Sequence, residues 1–420
     1  MKEYIIGMDI GSSNVCASAG MIDKQGKLQI VGVSSVNSTG LKKGIVVDID
    51  NVSDSIRRSL EQLERMIDIN IASVYVSLPG GICELVPSKG IVAVSSEDKE
   101  INDNDVQRVL KAARITSIPS NREIIGVIPK QYIIDGYDNI KDPVGMSGVR
   151  LEVDAHVILA QTTIVNNLVK SVHKAGLKIN GIVLEPLAVS EVVLKNDEVN
   201  IGTAIVNVGA EKIDISIHKG GNILHTDIIP FGGNTITNDI SICLKIPFSE
   251  AEKLKIKYGN VDRINNSIEN SVKVKAAYNE VATIDLSNLT DIIEARTDEL
   301  LKLVRMKLYE SGYLDDINGI VLVGGGLALL NGICDLGKRI FNKSVRIGAS
   351  EYVGASSPIY TTAVGIIKDV VNSPHLSSSQ DSERAVPEIN TKSKKTIENK
   401  QDLEESSVFS KIKGFLSDFF

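Results

Sequence analysis

The chain is expected to be an α/β protein made of two related halves, and three observations lead there. The first is an internal repeat: residues 4–18, YIIGMDIGSSNVCAS, align with 202–216, GTAIVNVGAEKIDIS, at an offset of 198. That offset lays Asp9 on Asn207, Gly11 on Gly209 and Ser18 on Ser216, with apolar strand patterns on both sides of each turn. The second is the alternation of helix-period and strand-period segments between and after the two copies. The third is a set of glycine turns, at Gly11, Gly232–Gly233 and Gly324–Gly326, each following a strand pattern.

The elements follow in order. Each repeat copy is strand, glycine turn, strand, then a second turn (24–27 and 219–222) and a third strand. Residues 53–67 form a helix with Ile56, Leu60, Leu63 and Ile67 on one face and Ser53 as N-cap. Strands are expected at 72–78, 123–134, 182–184 and 319–323. Helices are expected at 102–113, 163–175 (stopped by Gly176), 186–194 (opened by Pro186), 234–244, 249–258 and 288–311. A helix opening near Leu330 follows the Gly324–Gly326 turn, and a last helix at 358–370 ends the body.

The C-terminus has a different character. Residues 372–405 are rich in Ser, Lys and Glu, carry no aromatic residue and show no apolar period, so a disordered linker is expected there. Such a chain reaches on the order of 30 Å. Residues 406–420 then hold four of the seven phenylalanines. On a helix, Val408, Phe409, Ile412, Phe415, Leu416, Phe419 and Phe420 fall within an arc of roughly 140°. An amphipathic helix of this kind has three homes: a membrane interface, a groove on a partner, or the protein's own body. It is too short and too polar on one face to span a bilayer.

Composition narrows the function classes. A formal charge of −7 and the lack of a basic run interleaved with aromatics argue against nucleic acid as a partner. No signal-peptide pattern precedes the first strand, and the four cysteines (Cys16, Cys83, Cys243, Cys334) form no CxxC pair, as expected of buried reduced thiols in a cytosolic protein.

The glycine turns carry the candidate chemistry. At the bend Asp9-Ile10-Gly11-Ser12-Ser13-Asn14, Gly11 lets the backbone approach a phosphate, Ser12 and Ser13 add hydroxyl donors, and Asp9 is placed to hold Mg²⁺ through water. An ordinary hairpin turn would also account for it. Strand 319–323 running into Gly324, Gly325, Gly326 and Leu327 before a helix sets backbone amides beside a ligand, and Gly232-Gly233 before the next helix is a third such turn.

With these motifs together, the chain resembles the actin/Hsp70/sugar-kinase superfamily and, within it, the FtsA family of bacterial division proteins. GMDIGSSNVCA resembles the first phosphate loop, IVNVGAEKIDIS the second and VLVGGGLALLNGI the adenosine motif. VLEPLAVSEVVL and SSPIYTTAVGII resemble the two connecting helices. The segments 142–152 (DPVGMSGVRLE), 229–239 (IPFGGNTITND) and 293–296 (IEAR) are similar to FtsA in particular. The resemblance implies an actin-like ATPase fold in four subdomains: 1A from 1–84, 159–193 and 359–371; an FtsA-type insertion 1C at 85–158; 2A from 194–235 and 315–358; and 2B at 236–314. The linker and amphipathic helix complete it.

The resemblance also implies ATP with Mg²⁺ in the cleft between the halves. Glu252 and Lys255 match positions that hold ribose and base, although an exposed charged helix face would read the same way. Glu185 matches the glutamate near the attacking water, although a carboxylate favoured at a helix start would also stand there. The second loop departs from the family pattern: Asn207 stands for an aspartate, Gly209 is followed by Ala210 and Glu211 instead of glycines, and Lys212 is a point cation. Glu211 is expected to bring negative charge toward the triphosphate. ATP binding with weak or absent hydrolysis is therefore expected.

The function implied is a division adaptor that forms actin-like filaments and docks its terminal helix on the inner face of the cytoplasmic membrane at the division site. It would bind the C-terminal peptide of FtsZ through 2B, with Arg296 pairing an acid, and other division proteins through 1C. Alternatives are a PilM-like pilus-assembly adaptor and a small-molecule kinase of the same superfamily.

Overall fold

The computed structural model describes residues 4–262, 271–275 and 281–372, all within one compact unit. The expected linker and the amphipathic helix with Val408, Phe409, Ile412, Phe415, Leu416, Phe419 and Phe420 lie outside the described residues.

The first half opens with a meander of β1 (Tyr4–Ile10), β2 (Asn14–Ile22) and β3 (Leu28–Asn37). A small hairpin of β4 (Leu41–Lys42) and β5 (Ile45–Val46) leads to α1 (Ile49–Ile67) and β6 (Ser73–Leu78). An inserted unit follows: β7 (Cys83–Ala93), α2 (Asp103–Ala113), β8 (Arg122–Ile134), β9 (Tyr137–Ile140) and β10 (Arg150–Gln161). Then α3 (Thr162–Lys174) and β11 (Lys178–Leu184) complete this half, and α4 (Glu185–Val193) with α5 (Asn196–Ile201) leads into the second.

The second half repeats the meander as β12 (Thr203–Val208), β13 (Ile213–Lys219) and β14 (Asn222–Ile229). Next come α6 (Gly233–Leu244), α7 (Phe248–Tyr258), the hairpin β15 (Ser271–Lys275) and β16 (Val281–Asp285), and α8 (Leu286–Glu310). The chain ends its described part with β17 (Gly319–Val323), α9 (Ile333–Phe341), β18 (Ser344–Ile347) and α10 (Thr361–Asn372).

The sheets make the duplication explicit. One runs β3-β2-β1-β6-β11 and the other β14-β13-β12-β17-β18. In both, the first three strands are antiparallel neighbours and the last two join in parallel. The register obeys the sequence offset as well: Asp9 faces Cys16 across β1 and β2, and Asn207 faces Asp214 across β12 and β13. Each half has its own apolar core, one of Met8, Val15, Ile56, Leu63 and Val76, the other of Ile215, Ile236, Ile293, Leu301 and Leu322. The inserted sheet, ordered β7-β10-β8-β9, buries a third core against α2.

Two helices, α4 and α10, cross at close range because Gly365 carries no side chain. A Cβ there would stand 2.0 Å from the Ala188 carbonyl oxygen. Gly7 plays the same part under α10, where a Cβ would meet the Ala363 oxygen at 2.3 Å.

Several boundaries differ from expectation for local reasons. Helix α1 starts at Ile49, four residues before Ser53, because the Asp48 carboxylate accepts from the Asn51 amide as N-cap; Ser53 is buried inside the helix. The helix after the Gly324–Gly326 turn opens at Ile333, since Gly332 at φ +80° still belongs to the turn. Cys243 is exposed, unlike buried Cys16, and all four cysteines are free.

Candidate functional site

The second half gathers its glycine turns at one end of the sheet. The Gly233 amide donates to the Gly209 carbonyl at 2.9 Å, the Asn234 amide to Ala210 at 2.8 Å, and the Gly326 amide to Val208 at 2.9 Å. Close approach explains the residue type: a Cβ at Gly232 would be 2.5 Å from the Gly209 oxygen, and one at Gly233 would be 2.9 Å from the Gly326 Cα. Gly324, at φ +82°, turns the chain past the Asn207 side chain, and Leu327 beyond Gly325 is fully buried.

Lys255 of α7 closes the same corner from below. It is buried, and its ammonium donates to the Gly233 carbonyl at 3.1 Å and the Thr237 hydroxyl at 2.8 Å. It also pairs with Glu252 at 2.8 Å, while the Thr237 hydroxyl donates to the same carboxylate. Burial lowers the Lys255 pKa from its ordinary value, with Glu252 opposing. The expectation that both residues lie at the cleft is compatible with this placement, and for Lys255 the exposed-face explanation is excluded by its burial.

The first loop lies at the end of β1. The Gly11 amide donates to the Asn14 carbonyl at 3.0 Å, closing the turn, and the Asn14 amide group reaches Ser13 Oγ at 3.5 Å. Asp9 accepts from Ser77 Oγ at 3.1 Å. The sequence reading missed the β4–β5 hairpin, which touches both loops: the Gly44 amide donates to Ser12 Oγ at 3.4 Å and the Lys43 amide to Glu211 Oε2 at 2.7 Å. Glu211 therefore spends its carboxylate on a main-chain donor of the other half, where the sequence reading aimed it at the triphosphate.

Between the loops sits a buried charge cluster. Asn207 Nδ2 donates to Glu185 Oε1, and the Lys212 ammonium bonds Asp214 and lies 3.3 Å from Glu185 Oε2. Burial, then Glu185, pushes the Asp9 pKa up to about 7, against the pull of Lys212. Burial likewise raises Asp214 to about 6, with Lys212 limiting the rise. Burial alone would lower Lys212, but the Asp214 and Glu185 carboxylates outweigh it and hold the ammonium charged.

Asp214 was missed although the repeat pointed to it. The offset that replaces Asp9 with Asn207 replaces Cys16 with Asp214, so the second half keeps a carboxylate on the adjacent strand. Arg296 is placed on α8, where it grips Asp239 of α6 through Nε at 2.5 Å and Nη2 at 3.2 Å, and Glu299 at 2.6 Å.

As a cradle the site suits a nucleotide. Glycine turns of the second half pack main chain on main chain, since a Cβ at Gly232, Gly233, Gly324 or Gly326 would strike neighbouring backbone, and the β4–β5 hairpin joins them to Ser12 of the first loop, so main-chain and hydroxyl groups of the kind that bind phosphate lie close together. It suits a divalent cation poorly. Position 207 offers an amide, Glu185 and Asp214 are engaged by Lys212, and among the described residues no group of three His, Cys, Asp or Glu is arranged to hold a metal.

Comparison with known proteins decides the family. The model for cell division protein FtsA matches residues 204–365, and that for the SHS2 domain inserted in FtsA matches 80–159. The cell division protein FtsA of Bacillus subtilis is 39% identical over 368 residues, covering 87% of this chain and 83% of the relative. The chain belongs to the FtsA family. The Escherichia coli FtsA is 32% identical over 400 residues, with 92% and 94% of the two chains covered.

Solved structures agree on an actin-like fold. The PilM–PilN type IV pilus biogenesis complex superposes with a TM-score of 0.60 at 16% identity, covering 88% of this chain and 99% of the other. MreB5 of Spiroplasma citri bound to AMPPNP gives 0.55 at 16%, covering 89% and 97%. At such identity these neighbours speak for the fold alone. FtsA membership at 39% identity therefore takes precedence over the PilM-like and kinase alternatives.

Proposed function

We propose that this chain is an ATP-binding, filament-forming division adaptor that attaches FtsZ to the inner face of the cytoplasmic membrane and hydrolyses ATP weakly or not at all. The observation that carries the cleft reading is the engagement of Glu185, whose two oxygens accept from Asn207 and Lys212. A carboxylate so held is fixed in direction and partly neutralised by Lys212, so using it to activate a water would require re-aiming it. Releasing it from a buried pair costs about 3 kcal/mol or more, which is about two orders of magnitude in rate.

ATP then serves as a structural ligand. Gly11, Ser12, Ser13 and Asn14 on one side and Gly209, Gly232, Gly233, Gly324, Gly325 and Gly326 on the other offer main-chain and hydroxyl groups to its phosphates and sugar, with Glu252 and Lys255 beside the base. The arrangement asks little of Mg²⁺: any ion that came with the phosphates would meet the protein only at Asp9, by way of water. A ligand that touches both halves favours the closed cleft and with it one protomer shape for stacking. The actin-like fold supports filament formation.

The tether reading rests on family membership and on the apolar stripe of 408–420, whose anchoring is multiplied when protomers assemble. Arg296 recognises an acidic residue of the FtsZ C-terminal peptide by exchanging Asp239 or Glu299 for it, and the SHS2 insertion receives other division proteins.

Vesicle co-sedimentation of the full chain against one ended at Gln401 tests the tether, and equal pelleting refutes it. A pull-down with FtsZ tail peptide tests the partner. Phosphate release from lipid-bound protein is expected near background, and robust Mg²⁺-dependent turnover refutes the structural-ligand reading.

A further inference from the structure

Lys212 occupies a position that the rest of the cleft is built around. Under the repeat offset it stands where Asn14 stands in the first loop, so a cation has been added to one half only. Its side chain is 13% exposed and the carboxylates it meets, Glu185 and Asp214, are 7% and 6% exposed. Its Cε lies 3.3 Å from where a Cβ on Gly44 would stand, and Gly44 itself donates to Ser12 of the first loop. The ammonium therefore sits beneath both phosphate loops, among three acidic side chains counting Asp9.

We propose that Lys212 is a resident cation of this cleft, supplying beside a nucleoside triphosphate the positive charge that a hydrated Mg²⁺ would otherwise supply, so that nucleotide binds with little dependence on divalent metal. The inference rests on the ATP reading above. Three physical points carry it. A triphosphate brought toward Asp9, Glu185 and Asp214 without a cation meets like charge in a poorly solvated space, and a covalently held ammonium is in place before the ligand arrives. A divalent ion would have to take Glu185 or Asp214 from Lys212 against the repulsion of the ammonium itself. The amide of Asn207, by donating to Glu185, orients that carboxylate toward the lysine and replaces the acid that would have completed a metal's ligand set.

The test is calorimetric titration of ATP into the full-length protein, in Mg²⁺ and in EDTA. The wild-type dissociation constants are expected to agree within about threefold. In Lys212→Ala, affinity in EDTA is expected to fall about tenfold or more, and Mg²⁺ to restore most of it. Because that variant leaves two buried carboxylates without a cation, Lys212→Ala/Asp214→Asn makes the same comparison with one charge fewer, and circular dichroism checks that both fold. Wild-type binding that depends on Mg²⁺ by about tenfold or more overturns the role of Lys212 while leaving the ATP reading intact. So does a variant that binds equally in both media. Wild-type protein that binds no ATP in either medium overturns the ATP reading and this inference with it.

Discussion

Placing an aspartate at position 207 should destabilise this protein. In Asn207→Asp, the Nδ2 donor that now serves Glu185 Oε1 becomes a carboxylate oxygen facing a carboxylate. The lost charge-assisted hydrogen bond is worth about 1.5–3 kcal/mol. Two carboxylates about 3 Å apart at an effective dielectric near 20 repel by about 5 kcal/mol. The pair escapes the full sum by taking up a proton. Protonating a carboxyl of solution pKa about 4 costs about 4 kcal/mol or more at pH 7.5 and about 1 kcal/mol at pH 5. Lys212 offsets part of the repulsion. The expected loss is therefore about 2–4 kcal/mol at pH 7.5, shrinking to about 1 kcal/mol near pH 5. Urea unfolding followed by circular dichroism at the two pH values measures it. A variant as stable as the parent at pH 7.5, or destabilised equally at both, refutes the assignment of Asn207 as the neutral partner of Glu185.

Gly365→Ala drives a Cβ to 2.0 Å from the Ala188 carbonyl oxygen, a backbone atom that cannot rotate aside; a loss of about 1–3 kcal/mol is expected, and an unchanged melting temperature refutes the close crossing of α4 and α10. Asp369, on α10, has its pKa raised to about 7 by burial and then by Glu191. The folded state thus binds the extra proton between the ordinary pKa and about 7. The stability this contributes is full below about pH 4 and lost as pH rises through 7. Asp369→Asn should therefore stabilise by up to about 4 kcal/mol above pH 7 and hardly at all below pH 4. Parallel pH–stability curves for the two proteins refute that. Phe415→Glu should abolish vesicle pelleting without lowering the melting temperature of the body, and retained pelleting refutes the tail as anchor.

The repeat and the glycine turns were legible because both are written locally. An offset of 198 fixed not only the two meanders but their cross-strand register, and each glycine turn followed a strand as expected. Helix periods placed α1, α6, α7 and α8 within a few residues. Strands β7, β9, β10, β15, β16 and β18 and the β4–β5 hairpin were missed: strands of mixed polarity and very short strands carry weak periodic signals, and only tertiary pairing defines them. The cluster was legible in part. Glu185, Asn207 and Lys212 were named one by one, yet nothing local says that residues 22 and 27 positions apart bond each other. Arg296 likewise reads as a free helix arginine until Asp239, 57 residues earlier, is folded against it.

The second loop has not simply decayed. Its changes compensate one another: the acid missing at 207 reappears across the strand at 214, a lysine two residues before it neutralises that acid, and the new amide at 207 donates to Glu185. Where a glycine would have let phosphate in, Glu211 reaches the Lys43 amide of the first half. That exposed bond is worth about 1 kcal/mol, enough to bias a cleft toward closure but not to lock it. A ligand touching both loops would finish what Glu211 begins. Asn207, Glu185 and Lys212 partner one another, while Asp214 Oδ1 stays buried without a hydrogen bond, so a single ammonium serves three carboxylates, two of them with pKa values raised by burial. The arrangement thus ties the two loops together through charge held by fixed partners.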